Sequence, residues 1–270
     1  MSYAERLQRI TTERGRLCVG IDPMPSVLDA WGLPHDVSGL EACARGIVEQ
    51  IGQEVAVFKP QSAFFEAFGS RGVAVLERVL EDISAAGALS ILDVKRGDIG
   101  SSMAGYAAAF LGDDAPIRAD AITLSPYLGV GSLQPAIDAA VAGGQGLYVL
   151  ARTSNPDGAT IQLADAGGHT VAQHVVDTIT ELNTVSDHAV GLVVGGTHAD
   201  SGCNLEAFNA SILVPGIGAQ GGTIEGLTPI FGDAMRHVLP TASRGVIGHG
   251  VDKVAPLARQ LVSEVASRLV

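Results

Sequence analysis

Short apolar runs alternate with longer stretches of helical periodicity along the whole chain. Apolar runs bounded by glycine, proline or polar residues predict strands at Leu17–Ile21, Val55–Phe58, Leu89–Leu92, Ala121–Leu124, Gly146–Leu150, Ala189–Val194, Ser211–Val214 and Gly245–Gly248. Between them, apolar residues recur at helical spacing in Leu40–Ile51, Val73–Ala86, Leu133–Ala142 and Thr170–Leu182, and after the last strand in Val254–Leu269. Eight strand–helix units in one chain predict a closed parallel (β/α)8 TIM barrel with an extra N-terminal helix. A doubly wound open sheet is the rival, but no Gly-x-Gly-x-x-Gly follows the first strand. No linker, low-complexity tract or repeat divides the chain, so residues 1–270 are expected to form one domain.

Composition narrows the function classes. Hydrophobic residues at 47% against 17% charged supply a sizeable core. A net charge of −12 argues against a nucleic-acid or anionic-membrane surface, so an anionic ligand must be met by a few placed cations and backbone amides. The three cysteines, Cys18, Cys43 and Cys203, are odd in number and lack metal-ligand spacing, as expected in a reducing cytoplasm. The opening MSYAERLQRITTERGRL is charged and amphipathic, unlike a signal peptide, and no apolar run reaches membrane-spanning length. The seven histidines show no i, i+4 pair, so no metal site is expected.

In a barrel, chemistry belongs at the C-terminal strand tips. The richest tip is ILDVKRGDIGSSMAGY, Ile91–Tyr106. Residues two apart in a strand share a face, so Asp93 and Lys95 project together. Asp98 falls in a turn between Gly97 and Gly100, and Ser101 or Ser102 is placed to cap a helix over Met103–Phe110. Charges crowded at the tip of an interior strand are costly unless paired or used. Asp-x-Lys-x-x-Asp arises by chance about once in 5,000 positions, so spacing alone does not separate a salt-bridged strand end from a site. Other tips add Asp22 in VGIDP and Lys59 in VFKPQSAFFEAF, the latter too apolar a context for a plain solvated charge. Strand 4 ends in Thr123–Tyr127, polar tip residues that a simple turn would also explain, and Arg152–Asn155 offers donors to a polar ligand edge at the start of a long polar loop, Arg152–His169, suited to covering a ligand. Strand 7 runs into Pro215–Gly222, whose four glycines and Gln220 can wrap an anion. With Arg244 and Gly245 beside strand 8, that loop predicts a phosphate site where barrels commonly hold one.

The ordered set FKPQSAFFE, LDVKRGDIGSS, VLARTSNP, VPGIGAQGG and SRG, spanning Leu17 to about Gly250, resembles the orotidine 5′-phosphate decarboxylases, most closely their longer bacterial branch. The resemblance implies that Lys59, Asp93, Lys95 and Asp98 form a Lys–Asp–Lys–Asp catalytic array, with Asp98 reaching the neighbouring subunit's site in a homodimer. It implies that Asp22 and Ser102 contact ribose, Ser154 the pyrimidine, and Gln220 and Arg244, with Gly245 beside it, the phosphate. Val94 stands where many members carry Ala, and Gly218 where another branch carries Arg. The implied reaction converts orotidine 5′-phosphate (OMP) to UMP and CO2 for pyrimidine biosynthesis. It needs no cofactor: a fixed ammonium, Lys95, stabilises and protonates the C6 carbanion. Two alternatives are weighed. Metal-dependent sugar-phosphate decarboxylases share Asp-x-Lys-x-x-Asp but place a metal-binding Glu at the strand 2 tip, where Lys59 would repel Mg2+. A non-catalytic nucleotide-phosphate binder would have no need to crowd carboxylates.

Overall fold

Eight parallel strands pair in chain order and close on themselves: β1 (Cys18–Ile21), β2 (Val57–Pro60), β3 (Leu89–Arg96), β4 (Ala121–Leu124), β5 (Gly146–Arg152), β6 (Val190–Val194), β7 (Ile212–Ile217) and β8 (Val238–Ala242). The computed structural model describes residues Met1–Leu269. Helices including Val37–Ile51, Gly69–Ala85, Gly100–Phe110, Gln134–Gly143, Val171–Leu182 and Val254–Arg268 flank the barrel, as the alternating pattern predicted. Among the described residues no helix is long and apolar enough to cross a membrane.

Strand alternation sorts the buried side chains into two cores. Outward positions such as Val19, Phe58, Leu92, Ile122, Val149 and Leu192 join the large cluster under the helices. Inward positions, Cys18, Val57, Leu89, Ile91, Ala121, Tyr148, Val193, Leu213 and Leu239, form a second cluster inside the barrel. The N-terminal helix, Tyr3–Arg14, plugs the mouth below them. It starts on a Ser2–Glu5 capping box, and Tyr3, Leu7 and Ile10 join the interior cluster. The Tyr3 and Tyr148 hydroxyls lie 3.1 Å apart, and Tyr148 donates onward to Ser211 Oγ at 3.0 Å. Gly146 makes room for this helix, because a Cβ there would stand 2.3 Å from the Tyr3 ring.

Three expectations are corrected. The eighth strand is Val238–Ala242, whereas Gly245–Gly248 belongs to a single helical turn, Arg244–Ile247, closed by the Gly248 N–H on the Arg244 carbonyl. Pro240 disguised the strand, since proline removes a ladder donor. It keeps register with Val214 of β7, and β1 joins the strand only at the following Thr241 and Ala242. The helix after β3 begins at Gly100, so Ser101 and Ser102 lie exposed in its first turn, and the N-cap Ile99 provides no side-chain bond. The long loop after β5 carries structure of its own, a 3-10 turn at Pro156–Gly158 and a short helix at Ala159–Gln162. Boundaries also move: β3 and β5 run on to Arg96 and Arg152, so the charged residues end the strands and do not follow them.

Candidate active site

The same alternation that fills the barrel with apolar side chains places polar ones in its top layer. Lys59 is the next inward position after Val57, Asp93 after Ile91, and Thr123 after Ala121. All three are buried. They meet. Lys59 Nζ donates to Asp93 Oδ2 at 2.9 Å, Lys95 Nζ to Asp93 Oδ1 at 2.6 Å, and the Thr123 hydroxyl to the same Oδ1 at 2.8 Å. Gln61 Oε1 accepts a longer bond from Lys59 at 3.4 Å.

Lys95 reaches Asp93 because the strand is not regular there. The β3–β4 register passes from Leu92↔Ile122 to Arg96↔Leu124, so β3 carries extra residues opposite Thr123. Lys95 takes a left-handed φ of 43°, a costly conformation for a residue with a Cβ. Its side chain is 45% exposed, whereas those of Asp93 and Lys59 are each only 8% exposed, so the outer ammonium faces the mouth and the inner pair is sealed. Burial alone would push the Asp93 carboxyl up, but Lys59 and Lys95 outweigh it and hold the group well below the usual carboxylate range. Burial would likewise lower Lys59, yet Asp93 and then Asp22 raise it above the ordinary lysine range. Asp93 is thus held as a carboxylate, with the Lys59 ammonium on its closed side and Lys95 on its open side.

A second ion pair secures the strand end. Arg96 Nη2 donates to Glu66 Oε1 at 2.6 Å, and the Ser62 hydroxyl donates to the same oxygen at 2.5 Å. Helix Ser62–Glu66, which follows β2, is thereby tied to the tip of β3.

The remaining candidates follow the C-terminal ends of other strands at the same end of the barrel. Asp22, at the end of β1, is half-buried, and its Oδ1 is buried without a partner among the described residues. Its other oxygen, Oδ2, lies back toward β1, 3.4 Å from where a Cβ on Gly20 would stand. The tips of β1 and β8 touch, since a Cβ at Gly20 would stand 2.7 Å from Ser243 Cβ. Ser154, after β5, donates to Gln220 Oε1 at 3.2 Å, bringing the loops after β5 and β7 together. Arg152 turns away to Gln162 and the Thr153 carbonyl and anchors its loop, contrary to the expectation of a free donor. In the loop after β7, the N–H groups of Gly218, Gly221 and Gly222 close its own turns, so the glycines shape the loop where an exposed row of donors was expected. Positive φ at Gly216, Gly218 and Gly221 explains the residue type. Gly218 approaches Gly245, where a Cβ would lie 3.9 Å from the Gly245 Cα. Arg244 is exposed at the start of its turn and forms no ion pair with any described residue. Ser102 and Asp98 stay outside the array. The Asp98 carboxylate accepts the Ile99 N–H at 2.8 Å and pairs with neither lysine.

Thr123 and Glu66 escaped the sequence reading. Thr123 lies in the predicted strand Ala121–Leu124, and its place two residues after Ala121 marks it as inward-facing, but a turn explains the polar run it begins equally well. Glu66 lies within FKPQSAFFE, but its partner Arg96 is joined to it only by the fold.

The sequence model of the orotidine 5′-phosphate decarboxylase / HUMPS family matches residues 15–259. The chain is 54% identical over 257 residues to the orotidine 5′-phosphate decarboxylase of Salinispora arenicola, covering 94% of this chain and 92% of that protein. It is 52% identical over 256 residues to the enzyme of the same name from Streptomyces coelicolor, again covering 94% and 92%. A crystal structure from Streptomyces avermitilis, described as a candidate orotidine 5′-phosphate decarboxylase, superposes with a TM-score of 0.94 at 48% identity, covering 99% of this chain and 96% of that one. With the family's sequence model spanning residues 15–259 and relatives more than 50% identical over 94% of its length, the chain belongs to the orotidine 5′-phosphate decarboxylase / HUMPS family.

Proposed function

We propose that this chain converts OMP to UMP and CO2, the step that makes UMP in pyrimidine biosynthesis, and that it does so in the cytoplasm without cofactor or metal. The observation that carries this reading is the buried Lys59–Asp93–Lys95 array. Decarboxylation breaks the bond between C6 and its carboxyl carbon and leaves the electron pair on C6, in an sp2 orbital that the ring cannot delocalise. The charge must be met by a positioned cation. Lys95, at the open face of the array, delivers a proton from its ammonium to C6, and the resulting amine is reprotonated by solvent after release. Asp93, held ionised by its two lysines, stands against the departing carboxylate and favours the carbanion–ammonium arrangement. Lys59 fixes Asp93 from the closed side.

Asp22, with its unpartnered Oδ1, accepts from a ribose hydroxyl, and Ser102 lies on the ribose side. Ser154 contacts the pyrimidine. Gln220, Arg244 and Gly245 take the phosphate, which is remote from C6 and contributes binding energy to orientation and water exclusion. The chain, residues 1–270, acts as one catalytic domain. Two such chains form a homodimer in which Asp98 completes the partner's site. In support, Asp98 is unused by its own array, and Ile99, Tyr106, Tyr127 and Leu128 on the adjoining segments are exposed apolar side chains.

Loss of OMP absorbance, followed with and without exhaustive chelation, tests the activity. Turnover unaffected by EDTA is expected. No turnover, or turnover abolished by EDTA and restored by Mg2+, overturns the reading. For Asp98, refolding K95A and D98N chains together in equal amounts makes half the dimers mixed, each with one intact site of two, so about a quarter of wild-type activity returns. Mixed dimers that stay as inactive as their parents would place Asp98 in its own chain's site.

A further inference from the structure

We propose that Thr123 is a positioning residue of this site, whose hydroxyl holds the proton donor and its neighbouring carboxylate in one fixed relation. The inference rests on the decarboxylase reading above. Thr123 is 1% exposed and faces the barrel interior. Its Oγ1 donates to Asp93 Oδ1 at 2.8 Å and accepts the backbone N–H of Lys95 at 2.9 Å. The direction of both bonds is forced. Ionised Asp93 can only accept and a backbone N–H can only donate, so the hydroxyl must serve both at once.

The irregularity in β3 makes that service necessary. Between Leu92↔Ile122 and Arg96↔Leu124, Asp93, Val94 and Lys95 all face a single β4 residue, Thr123. A regular ladder would offer the Lys95 N–H a carbonyl. Here the ladder is broken, and the Thr123 side chain supplies the acceptor in its place. The same hydroxyl occupies the second site on Asp93 Oδ1, the oxygen that Lys95 Nζ also holds. Backbone, side chain and carboxylate thus form a closed loop through one oxygen, in which Lys95 is kept at its left-handed φ of 43°. No proton passes through Thr123 during the reaction. Its effect is to fix where the Lys95 ammonium stands relative to Asp93 when C6 arrives.

The test compares T123V, which keeps the shape and removes the hydroxyl, with T123S, which restores it. In T123V, kcat on OMP should fall by between about tenfold and a hundredfold, the scale of small misplacements at a reacting centre, while UMP affinity by calorimetry stays within about twofold. T123S should recover most of the lost kcat. T123V with wild-type kcat, UMP affinity falling in step with kcat, or a folded T123S as impaired as T123V would each overturn the positioning role. Should T123V fail to fold by circular dichroism, T123S against T123A decides on the same criteria. A wild-type chain with no OMP turnover overturns the functional reading, and the Thr123 role falls with it. An active wild type with fully active T123V removes Thr123 alone.

Discussion

The inward side chains of the same eight strands build two unlike ends. At the N-terminal mouth, Tyr3, Leu7 and Ile10 press onto Tyr148 and Leu213, three hydroxyls bond in a row inside the barrel, and charge is confined to the rim, where Arg6 pairs with Asp120. At the C-terminal mouth, a carboxylate is set between two ammoniums and left facing the opening through Lys95. The first is a seal and could have been built from many apolar side chains. The second holds buried charge, which adds little to stability over an apolar core of equal volume. Its retention marks the end where charge is used. Perturbing the two ends should therefore give opposite signatures.

The largest effect is expected at Lys95. K95A should abolish turnover of OMP in an absorbance assay while UMP affinity by calorimetry changes little, because the proton donor acts mainly in the transition state. Wild-type-like turnover would remove Lys95 from the role. Next, K59M should lower stability to urea by about 3–5 kcal/mol, since buried Asp93 is left with only its exposed partner. The deficit should be constant from about pH 5 to 9. Asp93, depressed in the fold, contributes fully above the ordinary carboxylate pKa and loses its contribution only as pH falls through its lower folded value. Lys59, raised in the fold, contributes fully below the ordinary lysine pKa and loses its contribution as pH rises from there through its folded value. A deficit that titrates between pH 5 and 9 would contradict this charge state.

Arg244 sharpens the comparison within the top face. R244A should weaken UMP by about 2–4 kcal/mol and leave uridine almost unaffected, because only the nucleotide carries phosphate. Equal losses for both ligands place the guanidinium elsewhere. The smallest effect belongs to the seal. Y3F should cost about 1 kcal/mol in urea unfolding, with kcat unchanged, because Tyr148 keeps its bond to Ser211. A Y3F chain with impaired turnover would show that the two ends are coupled.

Most of the barrel was legible in the sequence because burial on both faces leaves each parallel strand as a short apolar run. β8 was not, because its proline reads as a break while the glycine-flanked Val246-Ile247 reads as a strand. Lys59, Asp93 and Lys95 could be found as charges at the ends of such runs. Their contacts could not, since they depend on the extra residues in β3 opposite Thr123, a property of two strands in register. The loop after β7 was recognised by its glycines, but which amides they free and which they engage is set by positive φ at Gly216, Gly218 and Gly221. The grouping of Asp22, Ser102, Ser154 and Gln220 into one ligand's site was read from resemblance, because no local pattern links them.

The barrel closes on a narrow seam. β1 meets β8 through only Cys18↔Thr241 and Val19↔Ala242, whereas β7 and β8 share five register pairs. The two strands come from opposite ends of the chain, so during synthesis β1 waits with an open edge until nearly everything else has been made. Asp22 and Arg244 stand on the two sides of that seam, just past the ends of β1 and β8. A molecule that bridges them does not exist as a binding partner for the unfinished chain, only for the sealed one. If the proposed nucleotide site bridges them, nucleotide added during refolding should favour closure by mass action and shorten the time an unpaired strand is open to aggregation.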